Sequence, residues 1–308
     1  MRLHRTFYRA EGDTMKSQYP SEEQIDCIRQ ALPALQKKRP AYKALLAFYG
    51  PLFEAQETLA AKIPTDEAML DQRSVNTRKK EGFPLLSPVD FPLDSSALQD
   101  LLGQLCSLAQ DAGGDMGAAA AAIEAGLQNR KLTAVVLGTA VVEPSGIRLA
   151  RYADQIGVDR TLLSTIGYHT IRPSLIAWSR RLGEKPGVCS PWEEGVCPIC
   201  GSVPAISILE ENGGRQLVCG FCWHQWPHRR AACPFCRATG GETVRYFFDE
   251  PEPESRVDLC EACRQYLKCV DTRRLDRAVY PPLEALTTLH LDMKAQDMGY
   301  IAAGEPNC

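Results

Sequence analysis

Four Cys-x-x-Cys pairs lie between Cys197 and Cys263: Cys197/Cys200, Cys219/Cys222, Cys233/Cys236 and Cys260/Cys263. A two-residue spacer lets one turn aim both sulfurs at a single ion, and two such turns complete a tetrahedral site of four thiolates. One pair alone is ambiguous, because redox motifs share the spacing. Four pairs in one short stretch read as two mononuclear metal sites, and any fold for this chain has to close them.

Which pairs share an ion is argued from what lies between them. Between the first two, Val203 to Leu209 and Gln216 to Val218 are β-prone arms around Glu-Asn-Gly-Gly, a good turn. Between the last two, ETVRYFFDEPEPESRVDLC again places two β-rich arms around a Pro-rich turn. A hairpin that returns the chain to its own first knuckle closes a ribbon-type site, so sequential pairing is favoured: Cys197, Cys200, Cys219 and Cys222 in site 1, and Cys233, Cys236, Cys260 and Cys263 in site 2. A cross-brace, first pair with third and second with fourth, stays open because the gap from Cys222 to Cys233 is short.

The 308-residue chain is long enough for two domains. Its net charge of −3 and its 44% hydrophobic content are those of an ordinary soluble protein. No apolar run approaches the roughly 20 residues that span a bilayer, so membrane insertion is not expected. Met1 to Met15 has no apolar core and does not read as a signal peptide. Residues 1–20 read as a disordered leader, with Met1 or Met15 as the start. Without an export signal, paired CxxC units point to metal in a reducing cytosol, not to disulfides.

Residues 21–185 read as an all-α domain. Ser21-Glu22-Glu23-Gln24 fits a capping box, followed by Ile25, Ile28 and Leu32 at helical spacing. A second helical pattern opens at Pro40, with a kink expected at Gly50-Pro51. The segment GFPLLSPVDFPL, residues 82–93, holds three prolines and reads as an extended crossing segment. Helical patterns resume at Ser95, at 118–127, at 131–142, at 146–155 and at 159–182, the last interrupted near Pro173. The Gly- and Pro-bearing stretch 183–195 reads as a boundary or hinge before the metal module. The metal module spans 190–270, and residues 271–308 form a helical tail with Leu283, Leu286, Leu289 and Met293 on one face.

Around the knuckles, His224 and His228 read as surface or hydrogen-bonding residues, because eight cysteines already fill two sites. Trp223 and Trp226 are expected to cover the metal or the interdomain seam. Tyr246, Phe247 and Phe248 cannot all face one side of a strand, so at least one needs cover from the helical domain or a partner. With Asp249 and Glu250 they form the candidate partner-binding patch, although a solvated hairpin tip is the default reading of Asp249, Glu250, Glu252 and Glu254. Cys27, Cys106, Cys189, Cys269 and Cys308 have no partner at ligand spacing, and most of them read as buried small hydrophobes or inert thiols.

CPICGSVPAISIL, GGRQLVCGFCWHQW, RRAACPFC, YFFDEPEPESRVDLCEACRQYLKCVDTR and LDMKAQDMGY resemble the formate dehydrogenase accessory protein FdhE family. GFPLLSPVDFPLD and IRPSLIAWSRRLG look similar to it as well. The resemblance implies an α+β multidomain protein: an all-α N-terminal domain, two tandem rubredoxin-like or zinc-ribbon four-cysteine modules, and a C-terminal helix. It implies a cytoplasmic assembly factor, not an enzyme, that acts on the catalytic subunit of respiratory, molybdenum-containing formate dehydrogenase before export. Iron is the metal it implies at both sites, with zinc as the alternative, since spacing does not choose between them.

The residues themselves offer no nucleophile–base pair, phosphate loop or carboxylate dyad. Four thiolates per site leave no open position for water or substrate, which suits structural or electron-transfer sites. A rubredoxin-like electron-transfer protein is therefore the second reading. A nucleic-acid-binding zinc ribbon is the third and weakest, because six basic residues stand against nine acidic ones from Cys197 to Cys263.

Overall fold

Leucine and alanine stripes at helical spacing dominate the first part of the chain, and it folds into eight α-helices among the described residues. The structure is a computed structural model that describes residues 20–65, 71–188 and 192–303. The leader expected over 1–20 therefore lies, up to residue 19, outside the described residues, as do Cys189 and Cys308.

Helices α1 (Ser21–Lys38) and α2 (Lys43–Ala60) pair as a hairpin, and α2 continues through Pro51. A short polar helix, α3 (Gln72–Lys80), had no sequence signal beyond its cap, because it buries only Val75. Asp71 provides that cap by accepting a hydrogen bond from the Ser74 amide at 2.7 Å. Helices α4 (Ser95–Ala112), α5 (Gly114–Gln128), α6 (Ala134–Val142) and α7 (Ile147–Ile156) surround α8 (Arg160–Gly183). Leu98, Leu101, Leu102 and Leu105 of α4 are all buried. Helix α8 is buried on every side from Thr170 to Ser179, which is why it shows no amphipathic stripe.

Two local expectations are corrected here. The capping box at Ser21 is absent: Pro20 is the N-cap, and the Ser21 hydroxyl instead accepts a hydrogen bond from Arg180 at 2.6 Å. Helix α8 is not interrupted at Pro173. A proline leaves the carbonyl four residues earlier without its amide donor. That carbonyl belongs to His169, and the buried Gln56 side chain donates to it at 2.8 Å. The same amide accepts from Arg172 Nη1 at 2.8 Å. Gln56→Leu, similar in volume, would orphan both groups. It is expected to lower stability by about 2 kcal/mol or more, read from the urea midpoint at unchanged slope.

Among the described residues seven strands follow: β1 (Pro204–Leu209), β2 (Arg215–Cys219), β3 (Gln225–His228), β4 (Val244–Phe248), β5 (Ser255–Cys260), β6 (Gln265–Asp271) and β7 (Ile301–Ala302). They form one sheet in the order β3-β2-β1-β6-β5-β4, with β7 beside β6. The expected hairpins are β1–β2 and β4–β5, both antiparallel. What joins them is β6, parallel to β1 with Ile206 opposite Lys268 and antiparallel to β5 with Val257 opposite the same lysine. The two ribbons thus share a continuous sheet.

The tail is two helices, α9 (Pro281–Leu286) and α10 (Leu289–Asp297), and the single-face stripe expected there is corrected. Leu283 is buried with Tyr280 against α1 and α2, whereas Leu289 and Met293 are 43% and 66% exposed. The chain turns at Thr287-Thr288, and α10 buries Leu291 and Ala295 against Val257, Leu259 and Tyr266 instead.

The helical and ribbon parts do not meet at an open seam. Ile123 and Leu175 belong to the same core as Trp192, Cys197, Leu217 and Trp226. A Cβ on Gly195 would lie 1.6 Å from the Pro234 carbonyl oxygen, so the end of the expected hinge is clamped. At the far end, buried Arg39 after α1 reaches Glu252 at 2.6 Å, Ser255 at 2.7 Å and Thr287 at 2.9 Å, while Lys38 pairs with Glu254. The acidic hairpin tip is therefore not simply solvated: Glu252 and Glu254 tie the first helix to the second ribbon.

Candidate metal centres

All four Cys-x-x-Cys turns have one backbone form. The residue after each second cysteine has a positive φ: Gly201 at 75°, Trp223 at 60°, Arg237 at 63° and Arg264 at 58°. In three of them its amide donates to the carbonyl of the first cysteine, from Gly201 to Cys197 at 2.9 Å, Arg237 to Cys233 at 3.0 Å and Arg264 to Cys260 at 2.9 Å. Left-handed backbone costs a non-glycine residue roughly 1–2 kcal/mol. Three knuckles accept that cost, so something must hold the turn that presents the sulfurs.

The turns converge in sequential pairs. Cys197, Cys200, Cys219 and Cys222 bring four sulfurs within 4.8 Å of one another, and Cys233, Cys236, Cys260 and Cys263 do the same. The cross-brace is not formed. Nearest sulfurs are 3.6 Å (Cys197–Cys222) and 3.4 Å (Cys200–Cys219) apart in the first cluster, and 3.7 Å (Cys233–Cys263) and 3.6 Å (Cys236–Cys260) in the second. A tetrahedral thiolate site with metal–sulfur bonds of about 2.3 Å has sulfurs about 3.8 Å apart. Both clusters have the donor set and nearly the spacing to hold a metal ion. Amides add to the fit: those of Phe221 and Cys222 donate to Cys219 Sγ at 3.3 and 3.4 Å.

Without a cation these sulfurs are in conflict. Burial pushes the Cys197 and Cys222 thiols well above the ordinary range, while hydrogen bonds from Cys197 and Cys219 hold Cys200 below it. In the second cluster burial raises Cys233, and it raises Cys263 to about 11. A divalent cation removes the conflict by compensating thiolate charge.

The clusters differ in cover. All four cysteines of the first are buried, and they join the core of the helical part. The Pro-rich segment 82–93 contributes directly: the Leu85 and Leu86 amides donate to the Pro198 and Ile199 carbonyls at 2.9 and 2.8 Å, inside the first knuckle. Helix α8 braces the second knuckle, with Tyr168 donating to the Phe221 carbonyl at 2.8 Å and Ser179 to the Cys222 carbonyl at 3.2 Å. In the second cluster Cys236 is exposed and Cys263 half-buried. The sequence announced neither Tyr168, Ser179 nor this asymmetry, because both depend on where α8 lands.

Trp226 is buried and its Nε1 donates to the Glu194 carbonyl at 3.2 Å; Trp223 donates to Tyr168 at 2.9 Å, across the seam to α8. Neither His224 nor His228 enters a four-sulfur group among the described residues. Burial pushes His224 down to about 4, so it is neutral at pH 7. Cys106 and Cys269 are buried, and burial raises their thiols to about 12 and about 11, as expected of inert residues. Cys27 is half-buried.

Strand β4 lies at the edge of the sheet. Phe247 packs against the core beneath α10, and Tyr246 and Phe248 point the other way, 58% and 43% exposed and stacked 6.4 Å apart. Arg256 lies over the Tyr246 ring at 4.6 Å. Glu250 is exposed, while both Asp249 oxygens are held by Lys294 at 2.6 Å.

The family model for the FdhE central domain matches residues 196–230, the first ribbon. Over 274 residues the chain is 22% identical to a protein FdhE homolog of Aquifex aeolicus, covering 88% of this chain and 90% of that protein. A protein FdhE homolog of Haemophilus ducreyi is 31% identical over 115 residues, 36% of this chain and 37% of that protein. The crystal structure of the FdhE protein from Pseudomonas aeruginosa superposes with a TM-score of 0.64 at 22% identity, covering 92% of this chain and 95% of that one. The fold is thus shared with that protein over almost the whole length.

Proposed function

We propose that this chain is a member of the FdhE family, to which its first ribbon and its fold are similar, and that it is an accessory protein for maturation of a respiratory, molybdenum-containing formate dehydrogenase. In this reading it acts in the cytoplasm, binds the catalytic subunit before export and catalyses no reaction of its own. The observation that carries the reading is the pair of closed four-cysteine clusters. Cys197, Cys200, Cys219 and Cys222 hold one ion and Cys233, Cys236, Cys260 and Cys263 the other, iron in both, with zinc as the alternative. A site that spends every position on protein thiolate orders the surrounding backbone and, with iron, passes single electrons; it does not activate water.

The edge strand β4 is the surface proposed to receive the client. Its outer side-chain face offers Tyr246 and Phe248, and its free backbone edge can add an extended segment of a partner. Asp249 and Glu250 flank it on the acidic side. Charge pairing argues against a nucleic-acid partner. Of the six arginines between Cys197 and Cys263, Arg215, Arg229, Arg237, Arg245 and Arg256 each lie within ion-pair distance of a carboxylate. Little free positive charge is left for phosphate.

A second reading, electron transfer to a client-bound cofactor, is favoured by one observation: Cys236 of the second cluster reaches solvent. It requires the metal there to cycle reversibly at a physiological potential. The test of the main reading is co-purification with the immature catalytic subunit, with and without its leader peptide. Direct binding without formate turnover is expected, and deletion of the protein should abolish respiratory formate oxidation while the subunit's transcript persists. Tyr246→Ala with Phe248→Ala should weaken capture at least about tenfold, two exposed aromatics of an interface each costing on the order of 1 kcal/mol or more. A protein that ignores the subunit and shifts nucleic acid at physiological salt would sink the reading.

A further inference from the structure

The two edges of the sheet are built differently. The Cys219 amide donates to the His224 carbonyl at 2.9 Å, so the alternation of the ladder turns the backbone of Gln225 and Pro227 in β3 to the outside. A proline there has no amide to offer a further strand. Strand β4 has no proline, and its register with β5 runs from Val244 to Phe248 without a bulge. The Glu261 amide donates to the Thr243 carbonyl at 2.8 Å, which turns the backbone of Arg245 and Phe247 toward β5 and that of Tyr246 and Phe248 to the open edge. A regular, aromatic edge of this kind is a template for another strand.

Side chains along β4 say what such a strand carries. A residue opposite each of the exposed rings, Tyr246 and Phe248, packs on it best when it is β-branched. The charges come in a fixed order. Arg245 lies near the start of β4 with its side chain 63% exposed, no nearer than 3.9 Å to Glu261. Glu250 is exposed just past the end and pairs with no cation among the described residues. An antiparallel strand meets these two charges in reverse, its basic residue first and its acidic residue last. A second copy of the chain answers them less well. In antiparallel self-pairing the outward residues must meet each other, so Arg245 falls opposite Phe247 or Asp249 and never opposite Glu250, and Lys294 already holds the Asp249 oxygens.

We propose that β4 takes an extended segment of the client as an antiparallel strand, with an acidic residue opposite Arg245, β-branched residues opposite Tyr246 and Phe248, and a basic residue beside Glu250. The proposal rests on the reading of β4 as the client surface and adds the chemistry of the segment that binds there.

The test uses the full chain with both clusters metal-loaded and the peptide Lys-Thr-Val-Tyr-Val-Glu-Thr amide, carrying an N-terminal fluorophore. A saturable rise in anisotropy is expected. N-methylation of either valine should abolish it, because those amides face Phe248 and Tyr246, whereas N-methylation of the tyrosine, whose amide faces away, should leave it intact. Exchanging the peptide's Glu for Lys should weaken binding about fivefold, and Arg245→Glu in the protein should restore it. Saturating peptide should also displace the immature catalytic subunit. Anisotropy that never saturates, or equal affinity of the N-methyl-valine and N-methyl-tyrosine peptides, overturns the proposal on the wild-type protein alone. Capture of the subunit that saturating peptide leaves unchanged overturns it while the accessory-protein reading stands; a subunit that is not captured even without peptide sinks both. A dimer of this chain that the peptide dissociates, with capture unchanged, would assign the edge to a second copy instead.

Discussion

Cys197→Ser is expected to leave the protein aggregated, with metal content falling from about two ions per chain to one or fewer. Serine is a poor ligand for a thiophilic ion, so the first site loses its fourth donor. The apparent binding free energy of a four-ligand structural zinc site is about 10–16 kcal/mol, comparable with the whole stability of a domain at about 5–15 kcal/mol. Here the loss also reaches the helical part, because Cys197, Cys200, Cys219 and Cys222 lie in one core with Ile123, Leu137 and Leu175. Cys106→Ser is the control: this thiol is buried in α4 away from both clusters, and the exchange should cost about 1–3 kcal/mol with metal content unchanged. Metal analysis and solubility of the two variants decide the matter. A soluble Cys197→Ser protein with both ions in place would mean that the ligand assignment is wrong.

Metal release should proceed in two phases. The second cluster presents exposed Cys236 and half-buried Cys263 to solvent, whereas the first is sealed by α8, Trp226 and the 82–93 segment. A chelator can attack the second site from outside, but it reaches the first only after the core opens, and such openings approach the global unfolding free energy. With a chromogenic chelator in excess, one ion per chain should leave at least about tenfold faster than the other. Cys236→Ser should remove only the fast phase. Release of both ions in a single phase, with rates that follow global unfolding, would show that the exposure of Cys236 has no consequence for the metal.

The cysteine clusters were legible because their chemistry is local. A knuckle is four residues long, its spacing dictates where two sulfurs point, and β-prone arms around Glu-Asn-Gly-Gly and around the Pro-rich turn bring each chain segment back to its own knuckle. The positive φ after each second cysteine could have been suspected from Gly201 alone, since Trp223, Arg237 and Arg264 carry no such mark. Helices with leucine stripes, such as α4, were equally readable. Helix α3 was not, because one buried valine makes no stripe, and α8 was misread at Pro173 because the donor that rescues its free carbonyl comes from Gln56 on another helix.

What the sequence by itself determined is therefore the set of four knuckles, the β-prone arms that favour sequential closure over a cross-brace, and the helical character of the first part, all of which rest on contacts within or between neighbouring segments. Tertiary structure alone decided that β6 would insert between the hairpins and fuse two ribbons into one sheet. It also decided that α8 would seal one cluster and leave Cys236 of the other in solvent, and that Glu252 would meet Arg39. Those outcomes depend on pairings between residues far apart in the chain, whose free energies are set by burial and register and leave no periodic trace in either partner.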